Sequence, residues 1–230
     1  MTFLLWREQL KYRPTHEPCP LPFSPFKSCT VPRPIGWLSS VSRSGVENIA
    51  PYSQWQNLTF DPPMVMFSAN HYPDGRRKDT VINAETMGWF VWNMATYALR
   101  EAVNLSAMAL GPNESEFDFL NVTKEYADNA PIPMVRESPV KFECRYHSTH
   151  RLPGGSEVGG VDIVFAVVET IHIDDKFIDS QGRLDIPSIK PIARMGYFDY
   201  AVIDKLFEMR VPGADEAARD GLEGRSFSIR

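Results

Sequence analysis

The order of β-runs and turn signals in this sequence predicts a mainly β fold, a barrel with a few short helices. Three observations carry that expectation. Residues 35–41 and 46–52 are β-rich runs joined by Ser42-Arg43-Ser44-Gly45, polar residues ending in glycine, which predicts a hairpin with a slightly long turn. Residues 139–146 (PVKFECRY) alternate apolar and polar side chains, and residues 158–173 turn at Gly159-Gly160 into the long run VDIVFAVVETIHI. Helical spacing is short-lived: residues 80–87 and 97–110 are the two stretches that carry it.

The remaining elements follow in chain order. Residues 1–30 are rich in proline and aromatic side chains without a helical period, which predicts an extended arm that packs over another surface. A strand over 64–69 follows the break at Asp61-Pro62-Pro63, because proline pairs border strands and do not sit inside central ones. The helix at 80–87 takes Asp79 or Thr80 as its N-cap. Residues 89–94 (WFVWNM) read as a buried strand. YALREAVNLSAMAL, residues 97–110, reads as an amphipathic helix closed by Gly111-Pro112. The polar stretch 113–133 is a long excursion, either a lid or a dimer-facing loop, with Glu114, Glu116 and Asp118 beside Phe117 and Phe119. Turns are expected at Asp174-Asp175 and Ser180-Gln181-Gly182, and ARMGYFDYAVI resumes a β or mixed pattern. The expected organisation is an arm at 1–30, one domain at 31–203 and a charged tail at 204–230.

Composition narrows the function classes. Across 230 residues, 43% hydrophobic and 23% charged side chains are ordinary for a globular chain with a sizeable core. A net charge of −5 argues against a nucleic-acid binder. The opening MTFLLWREQLKYRP has too brief an apolar run for a signal peptide or a membrane helix. With three cysteines, an odd number, a disulfide framework is not expected, and a cytoplasmic protein is the simplest account.

A local anion site is compatible with a net negative chain. Arg77-Lys78-Asp79-Thr80 offers cations, a hydroxyl and a helix start within four residues, with Asn83 one turn on. The same residues also suit a solvated basic loop leading into a capped helix. Ser39, Ser40, Asn48, Ser53 and Gln54 of the hairpin suit hydrogen bonding to a polar ring edge, or ordinary edge-strand polarity. His147 and His150, three apart on a strand, point to opposite faces, so no metal site is assigned to them. His172 and Cys144 read as packed side chains, and the sequence has no GxSxG elbow, P-loop or GxGxxG.

The motifs PRPIGW (Pro32–Trp37), NIAPYS (Asn48–Ser53), the Asp61-Pro62-Pro63 break and RKDT (Arg77–Thr80) resemble, in that order, the flavin reductase-like domain family. The resemblance continues through ESPVKFEC, HIDD and ARMGYFDY and covers residues 31–200. That family, which includes reductase components of two-component flavin monooxygenases and flavoredoxin-like proteins, implies an FMN-binding split β-barrel that forms a homodimer. By resemblance, Ser39, Ser40 and Val41 line the flavin, and Asn48, Ala50, Pro51, Tyr52 and Ser53 face its isoalloxazine ring. Arg77, Lys78 and Thr80 hold the phosphate and Asn83 supports that turn; Asn57 and Asn93 are further neighbours. Arg194 and Tyr197 close the site or reach a nicotinamide. The implied activity is hydride transfer from NADH or NADPH to N5 of FMN, with a flavin-dependent monooxygenase as a possible partner. The alternative is an FMN-binding electron-transfer or binding protein that does not use a nicotinamide.

Overall fold

The computed structural model describes residues 9–111, 113–156, 159–209 and 212. Its strands are β1 (Arg33–Pro34), β2 (Gly36–Val41), β3 (Glu47–Tyr52), β4 (Trp55–Phe60), β5 (Pro63–Asn70), β6 (Trp89–Asn93), β7 (Lys124–Tyr126), β8 (Pro133–Val135), β9 (Val140–Leu152), β10 (Val161–Ile173), β11 (Ile192–Gly196) and β12 (Asp199–Val202). Three short helices, α1 (Asp79–Met87), α2 (Arg100–Leu105) and α3 (Ile186–Ile189), are inserted between them. A seven-stranded antiparallel sheet runs β3-β2-β6-β9-β10-β5-β4, and β1-β11-β12 form a small second sheet.

The large sheet curls on itself. Leu38 of β2, Trp55 of β4, Phe67 of β5, Phe90 and Trp92 of β6, Cys144 of β9 and Val164 of β10 form one buried cluster, so strands from both ends of the sheet share an interior. Tyr52 near one edge and Phe67 near the other bring their rings to 5.3 Å. Trp55 stacks on Trp92 at 5.5 Å, and it lies so close over Gly36 that a Cβ there would meet its ring at 3.0 Å. Val81 and Ala84 of α1 complete the cluster, so α1 sits against the barrel interior with one face buried. The helix stops at Gly88, whose φ of 79° is left-handed and whose amide closes on Ala84. The opposite face of β2 and β3 (Trp37, Ile49) packs on Val103 of α2, Phe117, Leu120 and Val135.

Several sequence expectations need correction. β4 was not anticipated: five of its six residues are exposed, so the strand lacks the buried alternation that reveals one. The helix expected over 97–110 is only α2, because the buried Ser106 turns its hydroxyl onto Val103 O and receives Trp37 Nε1 at 2.9 Å. α1 begins one residue early, with extended Lys78 at the N-cap position in place of Asp79 or Thr80. The 113–133 excursion is docked on its own barrel: it contains a 3₁₀ turn, Glu116–Phe119, and the β7–β8 pair, and it buries Phe117 and Leu120. β9 runs past residue 146 to Leu152, and a register shift beside His147 breaks the alternation assumed for His147 and His150, both exposed. Most of residues 9–30 are exposed, although Phe23 packs edge-on against Tyr197 at 6.1 Å. The tail, apart from 204–209 and 212, lies outside the described residues. Among the described residues no helix is long and apolar enough to cross a membrane.

This packing has a direct stability test. Leu38 is 0% exposed in the barrel interior, so Leu38→Ala is expected to lower the free energy of urea unfolding by about 3 kcal/mol. Leu58→Ala on edge strand β4, where Leu58 is 46% exposed, is expected to change it by less than about 0.5 kcal/mol.

Candidate functional site

The β2–β3 register sets Ser40 opposite Asn48, and α1 lies across that pair. Asn83 Nδ2 donates to Ser40 Oγ at 3.0 Å, and Thr80 Oγ1 donates to Asn48 Oδ1 at 2.8 Å. Ser40 Oγ gives a longer bond, 3.4 Å, to the same Asn48 oxygen. The other end of the amide points to the docked excursion: Asn48 Nδ2 donates to both oxygens of Glu116 at 3.1 and 2.9 Å, and the Ile49 amide donates to Glu116 Oε2 at 3.1 Å. Thr80 also hydrogen-bonds Tyr52, whose hydroxyl burial holds in its neutral form. Ser40, Asn48, Thr80, Asn83 and Glu116 are all buried. In so enclosed a network each donor has a fixed acceptor, and the side chains are held in one arrangement.

Beside this network α1 opens a cleft of about 120 Å³, whose walls include Ala50, Pro51, Tyr52, Lys78, Thr80 and Met108. No side chain caps the helix start among the described residues, and its first amides have no intrahelical acceptor. The Lys78 ammonium lies 3.3 Å from the centroid of the Tyr72 ring. Burial lowers the Lys78 pKa, and the neighbouring Asp79 carboxylate opposes that shift. A cation and helix-start N–H groups thus meet at one small space, beside the Thr80 hydroxyl, which is already given to Asn48, and the Asp79 and Glu116 carboxylates that also line it.

Of the residues singled out in the sequence, Ser40, Asn48, Ala50, Pro51, Tyr52, Lys78, Thr80 and Asn83 are gathered at this network and cleft. Others are elsewhere. Ser39 faces the other side of β2 and accepts from Asn93 Nδ2 at 3.1 Å, and Val41 on that same side packs with Ile132 and Met134. Asn93 also receives the Val135 amide at 2.8 Å and so ties strands together. Ser53 follows the end of β3 and is not among the cleft walls. Asn57 lines a separate cavity of about 350 Å³ beside Trp55 and Trp92. Arg194 and Tyr197 belong to the small sheet and its turn, where Arg194 bonds the Tyr197 carbonyl and lies 4.6 Å from the Tyr200 ring centroid.

Arg77 departs most from expectation. Its guanidinium is turned away from the cleft, with Nη1 and Nη2 on Glu85 at 2.8 and 2.5 Å and Nε on Asp162 at 2.8 Å. Those pairings raise its pKa, the Glu85 hydrogen bond most. Sequence reasoning missed Glu116 as a site residue, because its partners lie 67 and 68 positions away. The one local signal was a carboxylate beside the anchoring Phe117. Tyr72 and Ser106–Met108 also line the cleft and were not singled out in the sequence.

His172 and Cys144 are packed groups. Burial raises the Cys144 pKa, and His172 Nε2 lies 2.7 Å from Glu143. Asp128, Glu143 and His172 bring three possible metal-ligating atoms within 4.8 Å of one another. The Glu143 oxygens are already engaged there by the amides of Asp128 and Asn129, by Asn129 Nδ2 and by His172.

Architecture and cleft together define a mainly β barrel with an uncapped helix start set beside its first hairpin. Residues 28–186 match the family described as flavin reductase like domain, and the chain belongs to that family. A relative, the uncharacterized protein BH2278 of Halalkalibacterium halodurans, is 31% identical over 185 residues, spanning 79% of this chain and 87% of that one. Nitrilotriacetate monooxygenase component B from Bacillus cereus superposes with a TM-score of 0.78 at 29% identity, covering 87% of this chain and 98% of that one. A putative flavin reductase with a split barrel domain from Shewanella frigidimarina gives 0.70 at 23% identity, with 82% and 90% covered, and so shares the fold. The fold is accordingly a split barrel of the flavin reductase type.

Burial raises the Glu116 pKa, against the hydrogen bonds from Ile49 and Asn48. A carboxyl raised on folding contributes stability below its unfolded pKa and loses it as pH rises through the folded value. Glu116→Gln removes that titration while keeping an acceptor for Asn48 and Ile49. Relative to the parent, the variant is therefore expected to gain stability as pH rises above the ordinary glutamate pKa, read from urea midpoints along a pH series.

Proposed function

We propose that this chain binds FMN with its phosphate at the start of α1, and that it is an NAD(P)H:flavin oxidoreductase. The observation that carries this reading is the convergence of Lys78, the uncapped start of α1 and the Thr80–Asn48–Ser40 hydroxyl–amide network on one cleft, in a chain of the flavin reductase like domain family. The donor set fits a phosphate monoester: Lys78 supplies the charge, and the first amides of α1 supply N–H groups. Thr80 and Ser40 already donate their protons to Asn48 Oδ1, so their part is to hold the β2–β3–α1 junction rigid around the ligand. A cleft of about 120 Å³ suits the phosphate end, and the larger ring is inferred to lie along Ala50, Pro51 and Tyr52, open on one face.

When bound, FMN would supply the redox chemistry, accepting a hydride from NADH or NADPH at N5. The chain's contribution is to orient the ring, keep one face accessible to the nicotinamide and limit water on the other. Such a step needs no acid–base dyad from the protein. We also infer a homodimer, in which a second copy covers apolar surface such as Phe198 beside the small sheet. A separate flavin-dependent monooxygenase is the proposed recipient of reduced flavin, by analogy with the component B relative.

The test is the visible spectrum of the purified protein, followed by NADH and NADPH oxidation with and without added FMN. Bound-flavin absorbance and FMN-stimulated oxidation are expected. Bound FMN without oxidation of either nicotinamide would assign an electron-transfer or binding role, and no FMN binding would overturn the flavin reading. Lys78→Ala is expected to weaken FMN binding at least about tenfold and to change riboflavin binding by less than about twofold, read by flavin fluorescence quenching.

A further inference from the structure

Asp162 is a charged side chain with 0% exposure at the start of β10, far from the cleft in sequence and outside its walls. Three side chains reach it from two segments, the 71–78 loop and β9. Arg77 Nε donates to Oδ2 at 2.8 Å, His71 Nε2 lies 3.1 Å from the same oxygen, and Arg151 Nε of β9 donates to Oδ1 at 2.7 Å. Burial alone would raise the Asp162 pKa; the hydrogen bonds from Arg77 and Arg151 outweigh it and keep the carboxylate charged.

Residues 71–78 form the loop that connects β5 to α1 and delivers Lys78 to the cleft. The loop folds on itself through the Tyr72 amide to Arg76 O at 2.8 Å and the Gly75 amide to Tyr72 O at 2.9 Å. Its two ends are tied to the β9–β10 hairpin. The His71 amide donates to Gly160 O at 2.9 Å at one end, and Arg77 is forked between Asp162 and Glu85 of α1 at the other. All three guanidinium nitrogens are engaged there. Within this arrangement the Tyr72 ring and the Lys78 ammonium meet at 3.3 Å, on the cleft side of the loop.

We propose that Asp162 is a positioning residue for the anion end of the site: with Glu85 it holds Arg77 as a staple of the 71–78 loop, so that Lys78 faces the cleft and Arg77 does not touch the ligand. This rests on the reading of the cleft as a flavin phosphate site. It differs in sign from a direct phosphate role for Arg77. If Arg77 were a ligand restrained by Asp162, removing the Asp162 charge would release it to the phosphate and tighten binding. If Arg77 is a staple, the same change loosens the loop and weakens binding of the phosphorylated ligand alone.

The experiment uses the full chain carrying Asp162→Asn, and separately Glu85→Gln, whose side chain is 24% exposed and less exposed to folding failure than a wholly buried charge. FMN and riboflavin are titrated by fluorescence quenching, and amide hydrogen exchange is followed over residues 71–78. The expected result is an FMN Kd raised about tenfold, a riboflavin Kd changed by less than about twofold, and faster exchange in the loop. Unchanged or tighter FMN binding, or unchanged loop exchange in Glu85→Gln, would overturn the proposal. If the parent protein binds neither FMN nor riboflavin, the flavin reading fails, and the exchange measurement still decides whether the staple orders the loop.

Discussion

Asn48 has a single amide, and both ends of it are used to join separate parts of the chain. Its oxygen accepts from Thr80 of α1 and Ser40 of β2, and its nitrogen donates to Glu116 of the docked excursion. Because the side chain is buried, an unmet donor or acceptor there would be costly, on the order of 1–3 kcal/mol per group. The first hairpin, the helix and the excursion are therefore held in one mutual arrangement, and the shape of the cleft beside them follows from it.

The electrostatics of the region divide along the same line. Asp162, Glu85, Arg77, Arg151 and His71 pair on the outer side of the 71–78 loop, against the β9–β10 hairpin. Lys78 is left facing an aromatic ring, with its nearest countercharge the helix-start Asp79. A cation whose charge is only partly met by its own chain has more to offer an incoming anion than one already forked between carboxylates. Density of positive charge in the sequence does not reveal this division, which depends on which carboxylates the fold brings near.

That distinction marks where the sequence was readable. The β2–β3 hairpin, β5, β6 and α1 were legible because their signals are local: alternation, a polar turn ending in glycine, and proline at a strand border. β4 was hidden because an exposed edge strand needs no apolar alternation. α2 was overread because the Tyr97–Leu110 pattern continues past Ser106, whose hydroxyl is taken up by Trp37 and Val103. Residues 113–133 read as a lid or a dimer-facing loop because charged side chains outnumber the anchors Phe117 and Leu120. For the site, residues of the RKDT and NIAPYS segments meet at one cleft, while the different surroundings of Arg77 and Lys78 and the presence of Glu116 depend on contacts across tens of residues.

The cleft combines a rigid end with an open one, and this asymmetry bears on the proposed chemistry. The network around Asn48 fixes the end where an anion would sit, and the volume there is too small to enclose a tricyclic ring. A hydride donor in solution must reach a face of the ring it reduces, so a site that sealed the flavin would bar the nicotinamide. Orientation can instead come from holding one end firmly, since a ligand fixed at its phosphate has little freedom left in its ring. Under the proposed reading, a rigid anion end with an accessible ring end would suit bimolecular reduction of a bound flavin.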